Sequence, residues 1–375
     1  MRNGQRLIYL DALRVLATFA VIALHVSAAD WFGAPADSFA WQALNLYDSA
    51  ARFCVPLFVM ISGRLFLDPA KPIAGRDLAG KYIFRIGVAY IFWSACYSLI
   101  NTARLLRDTE AAVDAAALKS AVGAFVRGNY HLWFLYMIAG LYLIVPFLRQ
   151  IAADKGLTRY FLILSSLFSL VWPFILLFPL PAKDALITAR THLSLFFVMG
   201  YVVYFVGGYY FGAFPPSARA RKVIYLAGLA GAAFTVVANS RFALLTDGAV
   251  RDHFYGYLLP TTAATALAVF LFFQTRFAAA SGRAEAAGAR VGAGVSGARP
   301  SARGLEARIL LVSRYSFGMY LAHDLFLIAL SEAGLSPLAF NPLLSVPLIS
   351  AAIFAGSFLV SWLIGKIPVL SRYII

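Results

Sequence analysis

Apolar runs long enough to cross a bilayer recur along the whole chain, and they restrict it to one kind of architecture. A spanning helix needs about 20 predominantly apolar residues. Windows of that kind fall at roughly 7 to 28, 47 to 67, 82 to 101, 129 to 149, 158 to 180, 191 to 213, 223 to 239, 255 to 274, 309 to 331 and 341 to 365. They predict an all-α fold, a polytopic transmembrane helix bundle of about ten helices. Composition agrees. The 375 residues are 61% hydrophobic and only 13% charged, where soluble domains carry about 25% charged residues, and the mean hydropathy is +0.77.

The net charge of +15 could point to nucleic acid, but the basic residues follow the membrane instead. With the N-terminus in the cytoplasm, 22 lysines and arginines fall on the cytoplasmic side and 8 in the outer loops, while Arg14 and Arg52 lie within helices. Positive charge is retained on the cytoplasmic side, so both termini are expected there. The two cysteines, Cys54 and Cys96, lie in apolar segments and imply neither a disulfide framework nor a metal-binding pair.

The whole chain, 1 to 375, reads as a single membrane-embedded domain. Residues 277 to 307 are rich in Ala, Gly and Arg and read as a flexible cytoplasmic loop, with anionic lipid headgroups as a second use for its arginines. Residues 1 to 28 also fit a signal peptide, with a basic start, an apolar core from Val15 to Leu24 and small residues at Val26-Ser27-Ala28. Cleavage would discard the most informative polar residues of the chain.

Those residues are Asp11, Arg14 and His25, all on the first apolar segment. Arg14 and His25 are eleven residues apart, about three helical turns and about 16 Å along the axis, so they share a face. Asp11, three residues before Arg14, shares it too. Ionisable groups inside a membrane helix are costly and usually face a protein interior or a water-filled cavity. One helix therefore supplies one wall of a site that runs across the bilayer.

In the expected topology all five histidines, His25, His131, His192, His253 and His323, lie in the outer half of the membrane or beside it. His25 and His323 sit within apolar helices and point to an outer-side site that needs a base; the other three border loops and read as interfacial. No two histidines have i, i+4 spacing, and only Asp48 and Asp324 join Asp11 as acids within helices, a poor set for metal transport. On the inner side, Arg14, Lys81, Arg85 and Arg64 form a basic group suited to a phosphorylated ligand. Lys81 and Arg85 are one turn apart and are expected to share a face.

Tyr130, His131 and Trp133 resemble an interfacial aromatic belt. Gly63, Gly200, Gly207 and Gly208 allow close helix packing. Tyr315 and Tyr320 read as packing, and Pro56 as a kink. No nucleophile elbow, phosphate loop or dinucleotide fingerprint has the context it needs.

Six stretches carry a family resemblance: YLDALRVLATFAVIALH (9 to 25), VPLFVMISGRLFL (55 to 67), KYIFRIGVAYIFW (81 to 93), HLWFLYMIAGLYLIVPFL (131 to 148), YFVGGYYFG (204 to 212) and SRYSFGMYLAHDLFL (313 to 327). Together they make the chain similar to the integral-membrane acyltransferase family 3, bacterial O-acyltransferases, in its short branch without an extracellular hydrolase domain. The arginine and histidine of the first helix are the most specific match.

The resemblance implies a multi-pass protein of the bacterial cytoplasmic membrane. It would move an acyl group, acetyl by family precedent, from cytoplasmic acyl-CoA to a hydroxyl of a cell-surface or lipid-linked saccharide on the outer face. Acyl-CoA would be a donor substrate rather than a resident cofactor, and no metal is implied. By motif His25 is the catalytic histidine and Arg14 its partner, with Asp11 holding Arg14. Lys81 and Arg85 lie near the family's Arg-x-x-Arg pair but at different spacing, and Arg64 has no assigned family position. His323, Asp324, His131 and Trp133 are candidates for binding the acceptor, and His323 with Asp324 for tuning His25. Acceptor identity, acyl length, oligomeric state and the choice between His25 as base and as acyl carrier stay open in the sequence. A transporter or flippase for a lipid-linked or small solute is the competing class, although the halved symmetry common in transporters is missing; consumption of acyl-CoA distinguishes the two.

Overall fold

A computed structural model of the chain describes residues 7–71, 73–109, 114–249, 251–290 and 300–375. Its main helices run in chain order as α1 (Ile8–Ala29), α2 (Phe39–Ala51), α3 (Cys54–Phe66), α4 (Phe84–Thr109), α5 (Ala115–Arg127), α6 (Trp133–Leu143), α7 (Val145–Ala152), α8 (Lys155–Ser166), α9 (Val202–Ala213), α10 (Ala218–Leu245), α11 (Pro260–Arg290), α12 (Pro300–Glu332) and α13 (Pro342–Ile364), with the helices Lys183–His192 and Pro368–Tyr373 and several short helical turns besides. No strand occurs among the described residues, and the chain is a helical membrane bundle.

Six helical stretches among the described residues are long and apolar enough to span: Ile8–Ala29, Phe39–Phe66, Gly75–Asp108, Lys155–Ile175, Ala218–Leu245 and Pro342–Ile364. A helix pair bent by 57°, Ala117–Leu143 and Val145–Ala152, passes the same test when taken together, as a broken span or a re-entrant loop. The other windows expected from hydropathy are helical but differ in character. The 191 to 213 window keeps only the short helix α9. Those at 255 to 274 and 309 to 331 lie in α11 and α12, where threonines, Arg314, His323 and Asp324 dilute the apolar run. The segment read as a loop at 277 to 307 is helical over 277–290 and 300–307, and its central part, 291–299, lies outside the described residues.

Helix α1 occupies the middle of the bundle. It packs against α2, α3, α11, α12 and α13, and Leu13, Ala17, Ile22 and Val26 are fully buried.

The span 39–66 is broken at Arg52–Phe53, between α2 and α3. Pro56 explains the break. Its ring lacks an N–H and collides with the carbonyl four residues earlier, that of Arg52, whereas in the first turn of α3 it is tolerated. The break places Arg52 at the corner between α2 and α3.

Two glycines set the closest helix crossing. A Cβ on Gly63 would lie 1.7 Å from the Phe205 carbonyl oxygen, and one on Gly208 would lie 2.0 Å from that of Met60, so α3 and α9 meet backbone to backbone. Gly207 has only ordinary contact with Leu162, and Gly200 has open space around it but a φ of +81°, which serves the turn into α9. Gly208→Leu is expected to abolish accumulation of folded protein, whereas Gly207→Ala leaves it intact, as read by size-exclusion chromatography of detergent extracts.

Candidate functional site

Helix α1 brings His25 to His323 of α12, with His25 Nδ1 and His323 Nε2 at 2.7 Å. The second nitrogen of His323, Nδ1, lies 2.6 Å from the carbonyl oxygen of Tyr320. A carbonyl only accepts, so Nδ1 of His323 carries the hydrogen, and in the neutral ring Nε2 is bare. His25 Nδ1–H must then be the donor to it. The consequence is chemical: neutral His25 is left with an unprotonated Nε2. His323 is 1% exposed and His131 1% exposed, while His25 is only half-buried and remains approachable.

The 3₁₀ turn Tyr130–Leu132 before α6 forms the facing wall. Successive residues of a helix point about 100° apart, so Asp324 turns away from the histidine pair and accepts from Asn129 Nδ2 at 2.5 Å and from Tyr130 Oη at 2.7 Å. The Asn129 amide also reaches His131 Nδ1 at 3.3 Å, and the Tyr320 hydroxyl donates to the His131 carbonyl. The rings of Tyr130, His131 and His323 lie 5.1, 6.2 and 4.9 Å from that of His25. Asp324 therefore fastens the turn to α12 and holds the Tyr130 ring edge-on to His25.

A cavity of about 1080 Å³ lies on the other side of Tyr320. Arg14, Lys71, Arg85 and Arg314 line it, together with Ser62 and Tyr142 and apolar side chains such as Ile61 and Ile138. Along α12 its lining runs from Ala307 to Tyr320, thirteen residues or about 20 Å of helix. It stops three residues, one turn, short of His323. Asp11, 2% exposed, accepts from Ser313 at 2.7 Å and from Arg14 at 3.3 Å, tying α1 to α12 and holding the guanidinium in the cavity wall.

Several expected site residues are placed elsewhere. Lys81 does not line the cavity; its ammonium sits over the Tyr82 ring at 5.5 Å. Of Lys81 and Arg85, only Arg85 lines the cavity, beside Tyr82, although they lie about one turn apart across the π-helical stretch Leu78–Ile83. Arg64 is also outside the lining. The cavity face of α3 carries Phe58, Ile61, Ser62, Leu65 and Phe66, and Arg64 points away from it, paired with Asp68 at 3.1 Å and packed on Gly212. Trp133 leaves the histidines and meets Tyr201 and Tyr257, with ring centres 5.6 and 6.0 Å away. His192 ends an exposed helix, Lys183–His192, and His253 stacks on Phe242.

Other residues join the site without a clear sequence signal. Lys71 and Arg314 are hidden among the general cytoplasmic excess of basic residues, and Tyr130 in the pattern of an aromatic belt. Arg52, at the break before α3, pairs with Asp48, donates to the Tyr255 carbonyl at 3.2 Å and lies within electrostatic reach of His25. A buried cation in a membrane span is the signal that could have marked it. Among the described residues no three His, Cys, Asp or Glu side chains converge as metal ligands.

The helical membrane bundle thus carries a basic cavity on one side of a histidine cluster. The family model described as "Acyltransferase domain", that of acyltransferase family 3, matches residues 7–366, and the chain belongs to this family of membrane acyltransferases. Searches of curated proteins and of solved structures returned no significant match.

Proposed function

We propose that the protein is an O-acyltransferase of the bacterial cytoplasmic membrane. It takes a short acyl group, acetyl first among them, from cytoplasmic acyl-CoA and passes it to a hydroxyl of a cell-surface or lipid-linked saccharide at the outer face. The observation that carries this reading is the basic cavity, whose lining on α12 ends one helical turn short of His323, the hydrogen-bond partner of His25.

In this reading the donor phosphates rest on Arg14, Lys71, Arg85 and Arg314. Multiple guanidinium groups suit phosphate oxygens, and the pantetheine arm runs along the apolar wall. His25 Nε2 takes the proton of the acceptor hydroxyl as its oxygen attacks the thioester carbonyl carbon. A C–O bond forms, the C–S bond breaks, and the proton passes from His25 to the departing thiolate. His323 Nε2 holds the Nδ1–H of the imidazolium during the step, a positioning role that leaves the reacting nitrogen to His25. The same lone pair suits nucleophilic attack; trapping of an acylated His25 in the absence of acceptor would replace the base mechanism with that one.

The reading is tested with purified protein in lipid and labelled acetyl-CoA. Time-dependent consumption of donor, with label appearing in a saccharide acceptor, is the expected result; no donor binding or consumption would overturn it. Arg314→Glu is expected to raise the donor KM by about ten-fold or more, corresponding to roughly 1.4 kcal/mol, with a smaller change in kcat. Equal KM values for wild type and variant would remove Arg314 from the donor site.

A further inference from the structure

The floor of the cavity is built from three rings on three helices. Phe58 of α3, Phe134 of α6 and Tyr320 of α12 all line it, and each touches the other two. Ring centres are 5.9 Å apart for Phe58 and Phe134, 5.6 Å for Phe134 and Tyr320, and 6.5 Å for Phe58 and Tyr320. His25 is not among the lining residues. Beyond the floor, Tyr320 meets the rings of His131 at 5.6 Å and His323 at 6.0 Å. The closed triangle is thus one side chain thick and lies between the basic cavity and the histidine pair.

We propose that this three-ring floor selects the acyl group by size. The inference rests on the reading of the cavity as the acyl-CoA site. A donor arm that reaches His25 has to part the rings, and the group at its tip has to pass with it. Tyr320 is fixed by its hydroxyl on the His131 carbonyl, whereas neither phenylalanine has a polar anchor, and both are only half-buried. Phe58 and Phe134 are therefore the movable members. The opening they yield is bounded by Tyr320 on its third side, which admits an acetyl-sized group and excludes a long chain. Discrimination of this kind is steep, since each additional methylene in a tight apolar space changes rates by roughly ten-fold or more.

The test is the acyl-length profile, measured as turnover of acetyl-, butyryl-, hexanoyl- and octanoyl-CoA by wild type, Phe58→Ala and Phe134→Ala in lipid. Both truncations enlarge an existing cavity rather than open a new one, and either variant suffices if the other does not fold. Wild type is expected to lose activity steeply beyond the shortest donors. In the variants the ratio of hexanoyl to acetyl turnover is expected to rise at least ten-fold. A wild type that uses octanoyl-CoA as well as acetyl-CoA, or folded variants whose ratio matches wild type, would overturn the size filter while leaving the acyl-CoA reading in place. A wild type that consumes none of the four donors would instead overturn the donor reading, and the filter with it.

Discussion

Replacing His25 with alanine is expected to lower acyl transfer by about 10³-fold or more, the upper range of what a positioned base contributes, while the protein still assembles. His25 is half-buried and bonded through one nitrogen, so little of the fold depends on it. In the proposed reading the donor is held in the basic cavity beyond Tyr320, which His25 does not line, so acetyl-CoA binding should survive the substitution. His323→Ala is the informative companion. It removes the acceptor that fixes the His25 tautomer, so kcat should fall while donor KM holds, and the pH profile of kcat should shift because the imidazolium loses its partner. A His25→Ala protein with wild-type transfer would end the assignment of the base; a His323→Ala protein with an unchanged pH profile would reduce His323 to packing.

A large effect on stability is expected away from the reacting nitrogen, in Asp48→Ala. Asp48 is 1% exposed and is the ion-pair partner of Arg52. Its removal leaves the guanidinium in a bundle interior beside the Tyr255 carbonyl and the faces of Tyr255 and Tyr257. Uncovering one member of a buried pair costs about 3–5 kcal/mol. The expected result is a marked fall in the apparent Tm in detergent, substantially recovered in the double variant Asp48→Ala/Arg52→Met, where the orphaned charge is also gone. An unchanged Tm for Asp48→Ala would mean that Arg52 is hydrated and the pair is not structural.

Much of this architecture was legible because membranes penalise polar groups so heavily. Asp11, Arg14 and His25 were conspicuous on an otherwise apolar helix, and His323 with Asp324 on another. What one sequence could not give was the pairing between distant segments. His25 and His323 are separated by almost the whole chain, and nothing in their local contexts says that one nitrogen of each meets the other. His131 was obscured for the opposite reason, since a His between Tyr130 and Trp133 looks like a membrane-interface residue whichever way it points. Lys81 and Arg85 lie one turn apart, yet that spacing does not bring both to the same wall: Arg85 lines the cavity while Lys81 sits over Tyr82. Arg64 followed a Ser-Gly pair at the inner end of its helix, but two residues around a helix from Ser62 is nearly the opposite face.

The group that fixes the protonation pattern of His25 and His323 is a main-chain carbonyl, that of Tyr320, on the same helix as His323 and three residues before it. A carbonyl oxygen has two lone pairs, so it can accept the imidazole hydrogen without leaving the helical ladder. Substitution of the Tyr320 side chain therefore cannot delete the acceptor. The tautomer is protected against point mutation at that position and exposed only to changes in the course of the helix itself. Inheritance can thus vary the ring at the cavity floor, and with it the passage, while the chemical state of the base above stays constant.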